Sequence, residues 1–163
     1  MAESLIFNRE SSRDERFRTL TPQVQSLFAG ETDFIANAAN LSALIHEAFG
    51  FHWVGFYFVH GNRNELKLSE FAGKPTEHAI IPFGKGICGQ VAISNQNFVV
   101  QDVSEQDNYI SCGIDVKSEI VIPIFQDCKN IGQIDIDSNT PDPFTEADER
   151  FLECVCLKVS EIL

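Results

Sequence analysis

The run Ser118-Glu-Ile-Val-Ile-Pro-Ile-Phe-Gln-Asp-Cys-Lys-Asn-Ile-Gly-Gln-Ile-Asp-Ile-Asp-Ser138 constrains the fold more than any other stretch of the chain. Isoleucines alternate at 120, 122 and 124, and Ile131, Ile134 and Ile136 supply a second apolar run. A strand sends every second side chain to the same face. The polar stretch Asp127-Cys128-Lys129-Asn130 reads as a hairpin loop between two such strands. A hairpin centred on Cys128 sets Glu119 across from Asp137 and Val121 across from Asp135, and buries the isoleucines together. A register one residue away would set isoleucines across from acids. Like charges facing each other across a ladder are destabilising, so folding alone would favour Thr or Lys there. Two readings stay open: a solvated face of an acidic protein, or a wall that binds a cation or ammonium group. In the second, one crowded acid stays protonated near neutral pH.

The flanking chain fills in a single domain. Residues 1–20 are rich in charge and read as a tail or short helix, and 21–163 as one domain. Pro22 suits a first helical turn, with Val24, Leu27 and Phe28 at helical spacing. Asp33 is a candidate N-cap. Phe34, Ile35, Ala38, Leu41, Ile45 and Phe49 recur at three or four, and Gly50 fits the C-terminal cap. The aromatic and β-branched run 53–59 is a strand with Trp53, Gly55, Tyr57 and Val59 on one face. Strands follow over 66–71, 78–82 and 98–100. The stretch Gly84-Lys-Gly-Ile-Cys-Gly89 lacks phosphate-loop spacing and reads as a tight turn into a helix over 87–94. Cys88 then lies in the first helical turn, where the helix dipole favours a thiolate. Thr145-Glu-Ala-Asp148 forms a capping box with Asp in the usual Glu place, and Phe151, Leu152, Val155, Val159 and Ile162 mark a terminal helix. The tally is α+β, an antiparallel sheet with helices on one side.

Charge and cysteine usage narrow the function. Over 163 residues the formal net charge is −12, which repels nucleic acid and anionic membranes. No apolar run spans a bilayer, and the acidic N-terminus has no signal-peptide core, so the cytoplasm is the expected compartment. Five cysteines (88, 112, 128, 154 and 156) are no disulfide framework. With no CxxC pair and four scattered histidines, no metal site is expected. Cys154 and Cys156 lie about 200° apart around a helix and read as packing or surface residues.

Taken in order, Gly30-Glu-Thr-Asp33, Leu41-Ser-Ala-Leu44, Trp53-Val-Gly-Phe-Tyr57, Gly84-Lys-Gly-Ile-Cys-Gly89, Cys112, Ser118-Glu-Ile-Val-Ile-Pro123 and Ile134-Asp-Ile-Asp-Ser138 resemble the free methionine-(R)-sulfoxide reductases, small enzymes of the GAF fold. The resemblance implies a six-stranded antiparallel GAF sheet flanked by helices, usually a homodimer. It implies an oxidoreductase that reduces free methionine (R)-sulfoxide without a cofactor, with thioredoxin as electron donor. Cys112 matches the catalytic cysteine and Cys88 a second redox cysteine. Glu119, Asp135 and Asp137 match the acidic substrate site, and Trp53 and Tyr57 its aromatic wall. His78 stands where most members carry a further cysteine, so Cys88 or an external thiol would resolve the oxidised enzyme. A sulfoxide needs a thiolate at its sulfur and an acid at its oxygen; Cys112 can supply the first and Asp137 the second. The alternative is a GAF module that binds a small ligand without turnover, or a thiol redox sensor built on Cys88 and Cys112.

Overall fold

The computed structural model describes residues 5–110 and 113–163. Two helices, α1 (Arg13–Phe28) and α2 (Phe34–Phe49), precede the strands β1 (Trp53–Val59), β2 (Glu65–Gly73) and β3 (Ile80–Pro82). Then come α3 (Gly86–Ser94), β4 (Phe98–Val100), β5 (Ser118–Gln126), β6 (Lys129–Ser138) and α4 (Glu146–Ser160). The six strands form one antiparallel sheet in the order β3-β2-β1-β6-β5-β4. The α+β architecture is the expected one.

The sheet has two buried faces. Val54, Phe56, Ile120, Ile122, Ile124, Ile134 and Ile136 point to one, under α1, α2 and α4. Trp53, Tyr57, Leu66 and Val121 point to the other, with Ile87, Cys88 and Val91 of α3 against them. Helices therefore cover both faces, not one. Nearly every residue of α3 is apolar or small, so its sequence carries no amphipathic stripe to say which face it takes.

The first helix starts eight residues before the expected Thr21. Ser12 caps it by accepting from the Glu15 amide at 3.3 Å, and Asp14 and Glu15 suit the positive end of the dipole. Phe17, Leu20 and Val24 form its buried stripe, and Phe17 stacks on Phe151 with ring centres 4.4 Å apart. Pro22 lies within the helix, on its exposed side. The caps of α2 are as expected: Asp33 accepts from Ala36 at 2.9 Å, and Gly50 is left-handed at φ 67°. Ile35 is exposed, and Leu44 takes a core place instead. In α4 the capping box is present. Asp148 accepts from the Thr145 amide and hydroxyl, each at 2.7 Å, and from Arg13 at 2.6 Å.

The hairpin has the expected register along its stem, from Ser118–Ser138 to Ile124–Gly132: Glu119 faces Asp137, Val121 faces Asp135 and Ile122 faces Ile134. Its tip differs. Gln126 pairs with Lys129, so the loop is only Asp127 and Cys128, both left-handed at φ 49° and 62°. Such two-residue turns match the twist of the flanking strands. The pairing then skips Ile131 between Phe125–Asn130 and Ile124–Gly132. Ile131 is thus the extra residue of a β-bulge, which is how it and the even-numbered isoleucines reach one core.

Candidate active site

The acidic residues occupy the central rows of the sheet's second face. Trp53, Asp137 and Glu119 lie side by side across β1, β6 and β5; Gly55, Asp135 and Val121 form the next row. All three acids are buried, so this is no solvated face. The solvated-face reading fails because α3 and the chain before β5 cover the wall.

Burial pushes the Glu119 carboxyl well above its ordinary range, and the charges of Asp135 and Asp137 push it further. Asp135 is pushed up to about 7 by burial, opposed by hydrogen bonds from the Cys88 thiol and the Glu119 carboxyl. Of the two carboxyls Glu119 therefore holds the shared proton and donates it to Asp135. The second oxygen of Asp135, Oδ1, takes no hydrogen bond from any described residue, nor does the indole Nε1 of Trp53 give one.

The aromatic wall depends on a glycine. The Trp53 indole lies flat over Gly55, where an added β-carbon would sit 2.2 Å from the ring. The ring stacks on Phe71 at 5.4 Å and leans on Tyr57 at 6.2 Å. A glycine inside a strand signals such a close approach, so this residue could have been found from sequence. Tyr57 donates its hydroxyl to the His78 carbonyl at 3.0 Å. A narrow cleft beside Trp53, Asp135 and Asp137, rimmed by His52, Lys74 and Thr76, encloses about 10 Å³, room for about one water. Lys74 pairs with Asp115 at 3.0 Å near this rim.

Cys88 is buried in the first turn of α3. Cys112 lies outside the described residues. The chain leading to it is held against α3 by Asn108, which accepts from the Gly86 amide at 3.1 Å and donates to the Gly84 carbonyl at 2.9 Å. Ile110 packs on Gly86, where a β-carbon would come within 2.9 Å of it. Nothing in the sequence marked Asn108 or Lys74, because each acts through a partner distant along the chain. Of the remaining cysteines, Cys156 is buried, its thiol pushed up by burial, and Cys128 and Cys154 are exposed.

Fold and site together define a domain of the GAF type: the GAF domain family model matches residues 33–163. The chain is 40% identical to GAF domain-containing protein A of Dictyostelium discoideum over 93% of this chain and 94% of that one. It is 35% identical to the free methionine-R-sulfoxide reductase of Escherichia coli, over 93% of this chain and 91% of that protein. The structure of free methionine-R-sulfoxide reductase from Neisseria meningitidis in complex with its substrate superimposes with a TM-score of 0.93 at 38% identity, covering 98% of this chain and 94% of that chain. The chain belongs to the GAF-domain family, in its free methionine-R-sulfoxide reductase branch.

Proposed function

We propose that the protein reduces free methionine (R)-sulfoxide to methionine. The observation that carries the reading is the buried trio Glu119, Asp135 and Asp137 between an indole and a thiol, with one proton held on Glu119. A zwitterion's ammonium would pair with the ionised acids, and its methyl group would pack on Trp53. The closed cleft has room for about one water, so its rim at His52, Lys74 and Thr76 yields on binding.

The Cys112 thiolate attacks the sulfoxide sulfur, and Asp137, which lines the cleft, protonates the oxygen. The proton comes from the store shared with Glu119. The sulfur–oxygen bond and the newly formed sulfur–sulfur bond then break as the hydroxyl passes to the Cys112 sulfur; methionine leaves with its sulfur reduced, and Cys112 is left as a sulfenic acid. The Cys88 thiol then attacks that sulfur. Its proton passes to Asp135, to which the thiol already donates; water leaves and a disulfide closes. Thioredoxin is the proposed reductant, opening this disulfide and becoming oxidised itself. The cytoplasm is the proposed compartment, in keeping with the exposed thiols of Cys128 and Cys154. A homodimer is the proposed assembly.

The test is NADPH consumption with thioredoxin, thioredoxin reductase and free methionine (R)-sulfoxide. Turnover in the wild type and its loss in Cys112→Ser are expected. Full turnover in that variant removes Cys112 from the mechanism. Calorimetric binding of the sulfoxide with no thiol oxidised, read by mass spectrometry, replaces the reductase with a ligand-binding module.

A further inference from the structure

Asp135 also belongs to a second constellation. The Cys88 sulfur, an oxygen of Glu119 and an oxygen of Asp135 all lie within 4.8 Å of one another, and all three side chains are buried. They come from α3, β5 and β6, so no spacing along the chain could announce them. A separate cleft of about 10 Å³ opens among Cys88, Glu119, Asp135, His78 and Lys85, again room for about one water. Asp135 Oδ1, almost wholly buried, has no hydrogen-bond partner among the described residues.

We propose that Cys88, Glu119 and Asp135 form a binding site for a thiophilic divalent cation, with Zn²⁺ the best fit. One thiolate and two carboxylates suit zinc, which takes four ligands in a tetrahedron. Magnesium and calcium want six or more oxygens and gain nothing from sulfur. Zinc–sulfur and zinc–oxygen bonds of about 2.3 and 2.1 Å give a tetrahedral edge of about 3.5 Å. From separations of at most 4.8 Å, each ligand pair thus has to draw in by no more than about 1.3 Å. A thiol and two carboxyls cannot all ionise in a buried space by themselves, but they can around a doubly charged ion. On binding, the Cys88 thiol and the Glu119 carboxyl release their protons to solvent, and water or an incoming ligand takes the fourth position. No redox change is involved. The net charge of −12 raises the local concentration of cations. A bound ion occupies the Cys88 sulfur and an Asp135 oxygen, so it inhibits turnover; that corollary rests on the reductase reading, and the site itself does not.

The experiment is titration of the fully reduced, full-length protein with Co²⁺, without competing thiols. A cobalt–thiolate bond gives charge-transfer absorption in the near ultraviolet. The expected result is a band saturating at about one equivalent, displaced by Zn²⁺, absent in Cys88→Ser, and retained in Cys112→Ser and in Cys128→Ser/Cys154→Ser. Glu119→Gln, a same-shape change, should weaken Zn²⁺ binding about tenfold or more in competition with a chromogenic chelator. No band in the wild type, a band that survives in Cys88→Ser, or unchanged affinity in Glu119→Gln overturns the proposal. A protein that shows the band but no turnover keeps the site and loses the reductase reading; turnover without the band does the reverse.

Discussion

Asp135→Asn should change the sign of its effect on stability as pH rises. The wild-type carboxyl is displaced from 3.8 to about 7, chiefly by burial. Between those values the folded state holds a proton that the unfolded chain has released. Stability therefore falls as pH rises across this window, by about 4 kcal/mol in all. Asparagine cannot ionise and removes that fall. Its amide oxygen still accepts one hydrogen bond, but an NH2 group replaces the second oxygen and can accept nothing from the Cys88 thiol or Glu119, a fixed cost of about 1–3 kcal/mol. The variant should thus be less stable than the wild type near pH 4 by that amount. Near pH 8 it should be more stable by about 1–3 kcal/mol. Urea unfolding at intervals from pH 4 to 8, with a chelator present and read by the single tryptophan, gives both limbs. A difference of constant size and sign across the range would refute the claim that burial displaces this carboxyl.

Two further outcomes test the wall and the helix that closes the core beneath it. Gly55→Ala puts a methyl group 2.2 Å from the Trp53 ring, so it should lower stability by about 1–3 kcal/mol, shift the tryptophan emission and raise KM for the sulfoxide; unchanged emission would mean that the indole does not lie where described. Asp148→Ala removes the acceptor for the Thr145 amide and for Arg13 and should cost about 3 kcal/mol, read as a lower urea midpoint with KM unchanged.

How much could be read from sequence depended on whether the cause was local. The hairpin register was legible because only one pairing buries Ile120, Ile122, Ile134 and Ile136 together. The caps Asp33, Gly50 and Asp148 were legible because each satisfies backbone groups within a turn of itself. The start of α1 was hidden: Phe17 and Leu20 are the only apolar residues in its charged first half, and their partners Phe49 and Phe151 lie far along the chain. The placement of α3 on the opposite face was hidden for the reason its composition gives. At the site, the acids and aromatics could be placed on one face by strand alternation. Their burial, the hydrogen bond from Cys88 to Asp135 and the clamp at Asn108 could not, because they arise where α3 and the chain before β5 come down on the sheet. Cys112 remains outside the described residues.

The bulge at Ile131 has a consequence for how tolerant this hairpin is to changes in length. The tip beyond it pairs one step out of phase with the stem. Removing Ile131 would leave a regular ladder in which Glu119 still meets Asp137, at the cost of one partly buried side chain. Removing any residue between Ile134 and Asp137 would slide the strand by one and turn carboxylates toward the isoleucine layer. The tip can therefore lose a residue without disturbing the acidic rows, and the stem cannot.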